Sequence, residues 1–134
     1  MLVIDPQTHF ARGHAQGKSI LLVGRPGHLR DALMSLLCTL PDLGLIETAE
    51  NGPLALGCPR NSHPDLLIAG GLSEAETHDL LLKTKVTWPN TPTLVLTENA
   101  RQVKRVEQAG ATRVLPARTP SRQLLLEITH LIQP

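Results

Sequence analysis

Residues 19–27 read Ser-Ile-Leu-Leu-Val-Gly-Arg-Pro-Gly, a short apolar run that is closed by a turn. A continuous apolar run of this length is typical of a parallel strand that is buried on both faces. From His28 onward the leucines recur at helical spacing, and Pro41 ends this pattern. The stretch therefore predicts the first strand–turn–helix unit of an α/β domain.

The same unit recurs along the rest of the chain. Further strands are predicted at 44–49, 64–69, 91–97 and 112–115, and helices at 28–40, 51–56, 73–88, 99–109 and 121–132. Ser73 and Glu76 have the spacing of a capping box, Asn99 can cap the fourth helix, and Gly110 can end it. Five strands that alternate with five helices over short connections require parallel strands with right-handed crossovers. The sequence predicts a doubly wound α/β sheet of five parallel strands, with two helices on one face and three on the other.

Residues 1–17 show no sustained period, and we expect them to be an N-terminal extension that is mobile. Residues 18–134 then form one domain, which suits a chain of 134 residues. Cys38 and Cys58 lack the spacing of a metal site and are interpreted as small buried residues of a reducing compartment. The sequence has no secretory signal pattern and no apolar run near the ~18 residues of a membrane span, so we expect a cytoplasmic protein.

Composition argues against several partners. The formal net charge is only +1, so no overall field favours nucleic acid or a membrane surface. Phe10 and Trp88 are the only aromatic residues, which leaves no platform for stacking bases or sugars. We therefore expect no direct nucleic-acid binding and no membrane contact.

Local phrases of the chain resemble the receiver (CheY-like) domains of two-component response regulators. The resemblance covers about residues 19–132 and rests on phrases that follow one another in the family's order: Ile-Leu-Leu-Val23, His28–Leu33, Thr48-Ala-Glu-Asn-Gly52, Pro64-Asp-Leu-Leu-Ile68, Trp88-Pro-Asn-Thr-Pro92, Val95-Leu-Thr97, Ala109-Gly-Ala111 and Leu124–Ile128. It implies a flavodoxin-like fold with the strand order 2-1-3-4-5.

The resemblance also locates the positions at which receivers accept a phosphoryl group. Gly24 and Arg25 stand where two acidic residues hold Mg²⁺, and Gly70 stands where the phosphorylated aspartate is expected. The lysine and the proline after the fifth strand are replaced by Ala117 and Arg118. Two further positions complete the set, namely the switch hydroxyl, which is kept as Thr97, and the switch aromatic, which is Val114.

These replacements predict a degenerate pseudo-receiver. Glycine offers no nucleophile for aspartyl phosphorylation, and a guanidinium repels a cation that needs hard oxygen ligands. We expect no Mg²⁺, no other cofactor and no metal site. Histidine and serine patterns of hydrolases are also absent from the sequence, so we predict that the chain is not an enzyme.

Receivers commonly contact partners through the fourth and fifth helices and the strand between them. Here these segments are 99–109, 112–115 and 121–132, and we predict a protein partner or a weak homodimer at this surface. Residues 101–122 also include six basic residues, which usually form a solvated face and can alternatively contact an acidic partner or phosphate: Arg101, Lys104, Arg105, Arg113, Arg118 and Arg122.

A second hypothesis is a small-anion or nucleotide sensor. Ligands of open α/β sheets bind beyond the carboxyl ends of the strands, where Arg25, Gly27 and Arg118 are candidate anion-binding residues. If both arginines point towards the former metal pocket, we expect either that their side chains splay into solvent or that an anion or an acid such as Glu74 or Glu98 lies between them. The alternative interpretation of residues 24–27 is a simple tight turn.

Overall fold

The computed structural model describes residues 8–10, 17–41, 43–52 and 64–132. Its strands are β1 (Thr8–Phe10), β2 (Lys18–Val23), β3 (Leu43–Ala49), β4 (Leu66–Gly70), β5 (Thr93–Thr97) and β6 (Arg113–Pro116). Its α-helices are α1 (His28–Leu37), α2 (Glu74–Thr87), α3 (Val103–Gln108) and α4 (Ser121–Ile132), and a 3₁₀ turn at Ala100–Gln102 precedes α3.

The five predicted strands form one parallel sheet. The order across the sheet is β1-β3-β2-β4-β5-β6, which is 2-1-3-4-5 when the predicted strands alone are counted. Each central strand pairs in parallel with both neighbours, as at Ile20, which lies opposite Ile46 on one side and Leu66 on the other. The predicted fold class is confirmed.

The sheet has a sixth strand that the sequence pattern does not predict. Residues Thr8–Phe10 of the N-terminal extension pair antiparallel with β3, with His9 opposite Ile46. This part of the extension therefore belongs to the sheet.

Two apolar layers cover the two faces of the sheet. On one face, Leu33 and Leu37 of α1 and Leu124 and Ile128 of α4 are buried against alternate strand residues such as Ile20. The residues that point the other way pack against α2 and α3, through contacts that include these buried side chains: Leu21, Val23, Leu80, Leu81 and Val106. The described helices thus lie two on each face, and the predicted helix at 51–56 lies outside the described residues except for Asn51 and Gly52.

Most of the predicted helix signals are confirmed. Ser73 and Glu76 form a capping box at the start of α2, the Asn99 side chain accepts from the Arg101 N–H, and Gly110 has a φ of 120°. Among the described residues, no helix is long and apolar enough to cross a membrane.

Three local expectations are corrected. The first helix ends at Leu37 rather than at residue 40, because the chain continues as a hydrogen-bonded turn in which Leu40 N–H donates to Leu37 C=O. Cys38, at the start of that turn, is exposed rather than buried. The segment predicted as one helix at 99–109 is a 3₁₀ turn followed by the short α3.

Candidate functional site

The carboxyl ends of β2 and β4 lie side by side at the point where the strand order reverses. Open α/β sheets commonly bind their ligands at this point. Val23 of β2 lies opposite Ala69 of β4, so the next residues, Gly24 and Gly70, follow at neighbouring strand ends.

Gly24 is in direct backbone contact with Gly70. A Cβ atom added at Gly24 would lie 2.1 Å from the Gly70 carbonyl oxygen, a separation that side chains essentially never adopt. On its other side, the Gly24 N–H donates to the Ala49 carbonyl at 2.8 Å. Gly24 is thus fixed between two strands, and the position accepts glycine alone unless the backbone moves.

An apolar side chain lies beside Gly70. A Cβ atom at Gly70 would be 3.0 Å from Cδ2 of Leu29 and 3.6 Å from Cβ of Leu96. Leu29 comes from the first turn of α1 and packs against the core of that face. A side chain at position 70 would therefore emerge against leucine rather than against polar groups.

Arg25 forms a two-pronged ion pair with Glu76 across the end of the sheet. Its two terminal nitrogens donate to the two carboxylate oxygens at 2.9 and 2.8 Å. The Ser73 N–H also donates to Glu76, at 3.0 Å. The hydrogen bond from Arg25 and then the one from Ser73 lower the pKa of Glu76 to about 2, and the pairing with Glu76 raises the pKa of Arg25.

This pairing corrects the expected acidic neighbour of the two arginines. The partner of Arg25 is Glu76, whereas Glu74 pairs with Arg105 of α3 at 3.0 Å. Glu98 and Arg118 instead line a groove at the ends of β5 and β6. Gly27 is exposed at the start of α1, in an extended conformation that any residue can adopt.

The groove at the ends of β5 and β6 has a volume of about 780 Å³. Ala117 and Leu29 contribute to its apolar lining, and His28, Glu98 and Arg118 contribute its titratable side chains. The groove is open to solvent and has room for a ligand; a second cavity of about 480 Å³ lies at the ends of β4 and β5, where Gly71, Ser73 and Thr97 line it.

Thr97 and Val114 are both buried, each with 7% exposure. The Thr97 hydroxyl lies 3.1 Å from Oε1 of Gln102 and 3.2 Å from the Asn99 carbonyl, and it accepts from the Asn99 N–H at 3.1 Å. Val114 packs in the core layer with Val106. The local contacts of the following turn therefore satisfy the Thr97 hydroxyl.

Comparison of the structure with solved structures decides the fold. The signal receiver domain of a histidine kinase from Syntrophus aciditrophicus matches with a TM-score of 0.73 and 22% identity, over 86% of this chain and 89% of that one. The chain has the fold of a receiver domain. The chemotaxis response regulator CheY4 of Vibrio cholerae (TM-score 0.72, 20% identity, 87% and 99% covered) and the HemR receiver domain of Leptospira biflexa (0.72, 22%, 87% and 95%) are similar.

No protein-family model matches the chain, and no curated protein matches it in sequence. The likeness to receiver domains is therefore a likeness of fold, since this chain is only 20–22% identical in sequence to these three structures.

The residues at the strand ends of this receiver fold do not fit Mg²⁺. The two positions that follow β2 hold a glycine without space for a side chain and an arginine. The nearby Glu76 carboxylate already binds the Arg25 guanidinium with both oxygens. Within the described part of the chain, no group of three His, Cys, Asp or Glu side chains is arranged to hold a metal ion.

Two residues of this region, Leu29 and Glu76, are not indicated by the sequence pattern. Leu29 follows the turn in sequence, but only the packing of α1 brings it to Gly70. Glu76 was recognised as a capping residue, yet its second role depends on Arg25, which is 51 positions away. The capping-box spacing indicates that Glu76 lies in the first turn of a helix, but it does not indicate which distant cation the carboxylate binds.

Proposed function

We propose that this chain is an atypical receiver domain, or pseudo-receiver, of bacterial-type signal transduction that acts through protein–protein contacts without aspartyl phosphorylation. The observation that carries the proposal is the contact between Gly24 and the Gly70 carbonyl. Phosphoryl transfer to a receiver needs a carboxylate nucleophile beside a bound cation. Here the space for the acidic residue is filled by backbone, and the nucleophile position is glycine.

The ion pair between Arg25 and Glu76 supports the same proposal. Arg25 already links the loop after β2 to the first turn of α2 through Glu76. A fixed guanidinium provides positive charge without Mg²⁺ and opposes the approach of a second cation. We therefore propose a domain that has no enzymatic activity, needs no metal or other cofactor and works in the cytoplasm.

The proposed contact surface consists of residues 99–109, 112–115 and 121–132, and its occupant is a protein partner or a second copy of the chain. Leu126 of α4 is a large apolar side chain with 66% exposure. Beside it, Arg113 of β6 holds Glu127 through two hydrogen bonds of 3.2 and 3.0 Å. This pair ties the strand to the helix, which favours a preformed surface. We do not propose nucleic acid or lipid as an occupant, because the formal net charge of the chain is only +1 and two of the basic residues here are paired, Arg105 with Glu74 and Arg113 with Glu127.

The experiment that tests the proposal measures self-association by sedimentation velocity over a concentration series, with and without acetyl phosphate and Mg²⁺. We expect a weak dimer whose dissociation constant is the same in both conditions, because no phosphoryl group is bound. Leu126→Glu should weaken the dimer by about tenfold, since it places a charge in an apolar contact.

Val86→Glu is the matched control for that substitution. Val86 has 85% exposure on α2, outside the proposed surface, and its replacement should leave association unchanged. An association that strengthens with acetyl phosphate, or that Val86→Glu weakens as much as Leu126→Glu, would contradict the proposal.

A second candidate, a sensor of small anions, is favoured by the groove at the ends of β5 and β6. His28 and Arg118 line it, and Arg118 is exposed. Since Arg25 is held by Glu76, binding would depend mainly on Arg118. Calorimetric titration with phosphate, sulfate and Mg²⁺ separates the two candidates. Phosphate binding that is lost in Arg118→Ala but kept in Arg25→Ala would support the sensor, and no binding of any ion would exclude it.

A further inference from the structure

The two edges of the sheet differ in their protection against further pairing. The β6 edge is four residues long, begins with the exposed Arg113 and ends with the exposed Pro116. Charged residues and prolines at short edges are known devices against intermolecular strand pairing. β3, near the other edge, has seven residues, from Leu43 to Ala49, without proline or a basic side chain. Among the described residues, β1 is the strand that pairs with this edge, over three residues.

The hydrogen-bond pattern identifies how β1 is held. The Gly24 N–H donates to the Ala49 carbonyl, so the odd-numbered residues of the regular stretch 45–49 point their backbone groups towards β2. The even-numbered ones, including Ile46, point towards β1. His9 lies opposite Ile46, and this pair therefore exchanges both backbone bonds, whereas the N–H groups of Thr8 and Phe10 point away from β3.

The β3 strand is self-complementary in the antiparallel sense. Ile46 is its central residue, and its backbone groups point outward, so two copies related by a two-fold axis there would lie antiparallel along the strand, with the register irregularity at Gly44 near each end. In that register Glu47 faces Leu45 of the partner copy, so no like charges oppose each other. Isologous pairing of this kind is the commonest symmetry of homo-oligomers.

We propose that the β3 edge is a strand-addition site, which residues 8–10 fill within the same chain and which a second copy fills by antiparallel β3–β3 pairing when β1 is detached. The N-terminal strand then controls whether this edge is available. This surface is separate from the one proposed at residues 99–132 and does not depend on it.

Two proline substitutions in the full-length chain test the proposal. His9→Pro removes the N–H that bonds Ile46, whereas Thr8→Pro removes an N–H that points away, and so it is the matched control. In sedimentation velocity we expect His9→Pro to lower the dissociation constant of the dimer by at least about tenfold, because the longer β3–β3 pairing then competes with a weakened β1. Thr8→Pro should behave like the unmodified chain.

Hydrogen exchange at Ile46 reports on this interface and not on the surface around Leu126. The Ile46 amide should exchange quickly in dilute His9→Pro and become protected as the concentration rises. Adding Leu126→Glu should not reverse this protection, because Leu126 belongs to the other surface. His9→Pro that stays monomeric with an unprotected Ile46 amide at every concentration would overturn the proposal and would leave a foreign extended peptide as the occupant of the edge.

The unmodified chain provides a test that does not depend on the variant folding. Its Ile46 amide should exchange faster than the Glu47 amide, which points towards β2, and this exchange should slow with rising concentration. An Ile46 exchange rate that is independent of concentration would overturn the proposal equally.

Discussion

At the ends of β2 and β4 the backbones of Gly24 and Gly70 are in contact, whereas at the ends of β5 and β6 the loops diverge around a groove of about 780 Å³. We call the ends of β2 and β4 the closed half of the strand-end region and the ends of β5 and β6 the open half. The closed half lacks the space for a side chain at position 24, and Leu29 packs beside position 70. The open half has a buried hydroxyl at Thr97 and an exposed cation at Arg118. Under the proposed function, the backbone leaves no room for phosphoryl chemistry in the closed half, whereas in the open half the side chains alone decide what can bind.

The largest effect is expected from Gly24→Ala. The new methyl group would have to displace the Gly70 carbonyl, and we expect the free energy of unfolding to fall by about 3 kcal/mol. Urea unfolding followed by circular dichroism measures this change. Gly27→Ala is the control, because a Cβ there has no neighbour within 4 Å, and it should cost less than about 1 kcal/mol. Equal stability of the two variants would contradict the close contact between Gly24 and the Gly70 carbonyl.

Gly70→Asp should have a smaller effect. The nearest atom to the new Cβ belongs to the flexible Leu29 side chain, which can move, so the chain should fold with a loss of about 1–2 kcal/mol. Gly70→Ala separates the steric part from the cost of the carboxylate and should lose less. Leu29→Ala in the Gly70→Asp background should recover part of the loss relative to Leu29→Ala alone. A Gly70→Asp variant as stable as the parent would contradict the apolar packing at this position.

The ion pair between the two loops predicts a pH dependence. The pKa of Glu76 is lowered to about 2 in the folded chain, against about 4.3 for an ordinary glutamate in the unfolded chain. Because the folded-state pKa is depressed, the stabilisation is present above about pH 4.3 and is lost as the pH falls towards 2. Carbon-detected NMR titration of the Glu76 carboxyl measures the shift.

Arg25→Gln should raise the Glu76 pKa towards its ordinary value, since it removes the largest cause of the shift. Arg105→Gln, which removes the neighbouring pair with Glu74, should leave it unchanged. A Glu76 pKa that does not respond to Arg25→Gln would show that the two loops are not joined by this pair in solution.

The parallel sheet is predictable because each of its strands has a local sequence signal. Ile20–Val23 and Leu66–Ala69 are continuous apolar runs, and such runs have few alternatives to a strand buried on both faces. The capping box at Ser73 and the positive φ of Gly110 are likewise set by neighbouring residues. β1 is different, because three residues are too few to show a period and their conformation depends on the available edge of β3.

The sequence predicts which residues lie at the strand ends of the candidate site, but not the contacts that they make. The apolar runs place Gly24, Arg25 and Gly70 at strand ends, and the resemblance to receivers implies that they stand at the phosphorylation positions. The sequence does not indicate that Gly24 and Gly70 touch, or that Arg25 finds Glu76, because these contacts join residues 46 and 51 positions apart. Such contacts depend on how closely two strand ends approach each other, which a linear pattern does not encode.

The most direct measurement of the central claim is the intact mass of the full-length chain after incubation with acetyl phosphate and Mg²⁺. An ordinary receiver domain with its phosphoacceptor aspartate, treated in parallel, serves as the positive control. The account predicts that the control gains one phosphoryl group while this chain keeps its mass, and that Gly70→Asp also keeps its mass because the cation site is still missing. A phosphoryl group gained by the unmodified chain would contradict it.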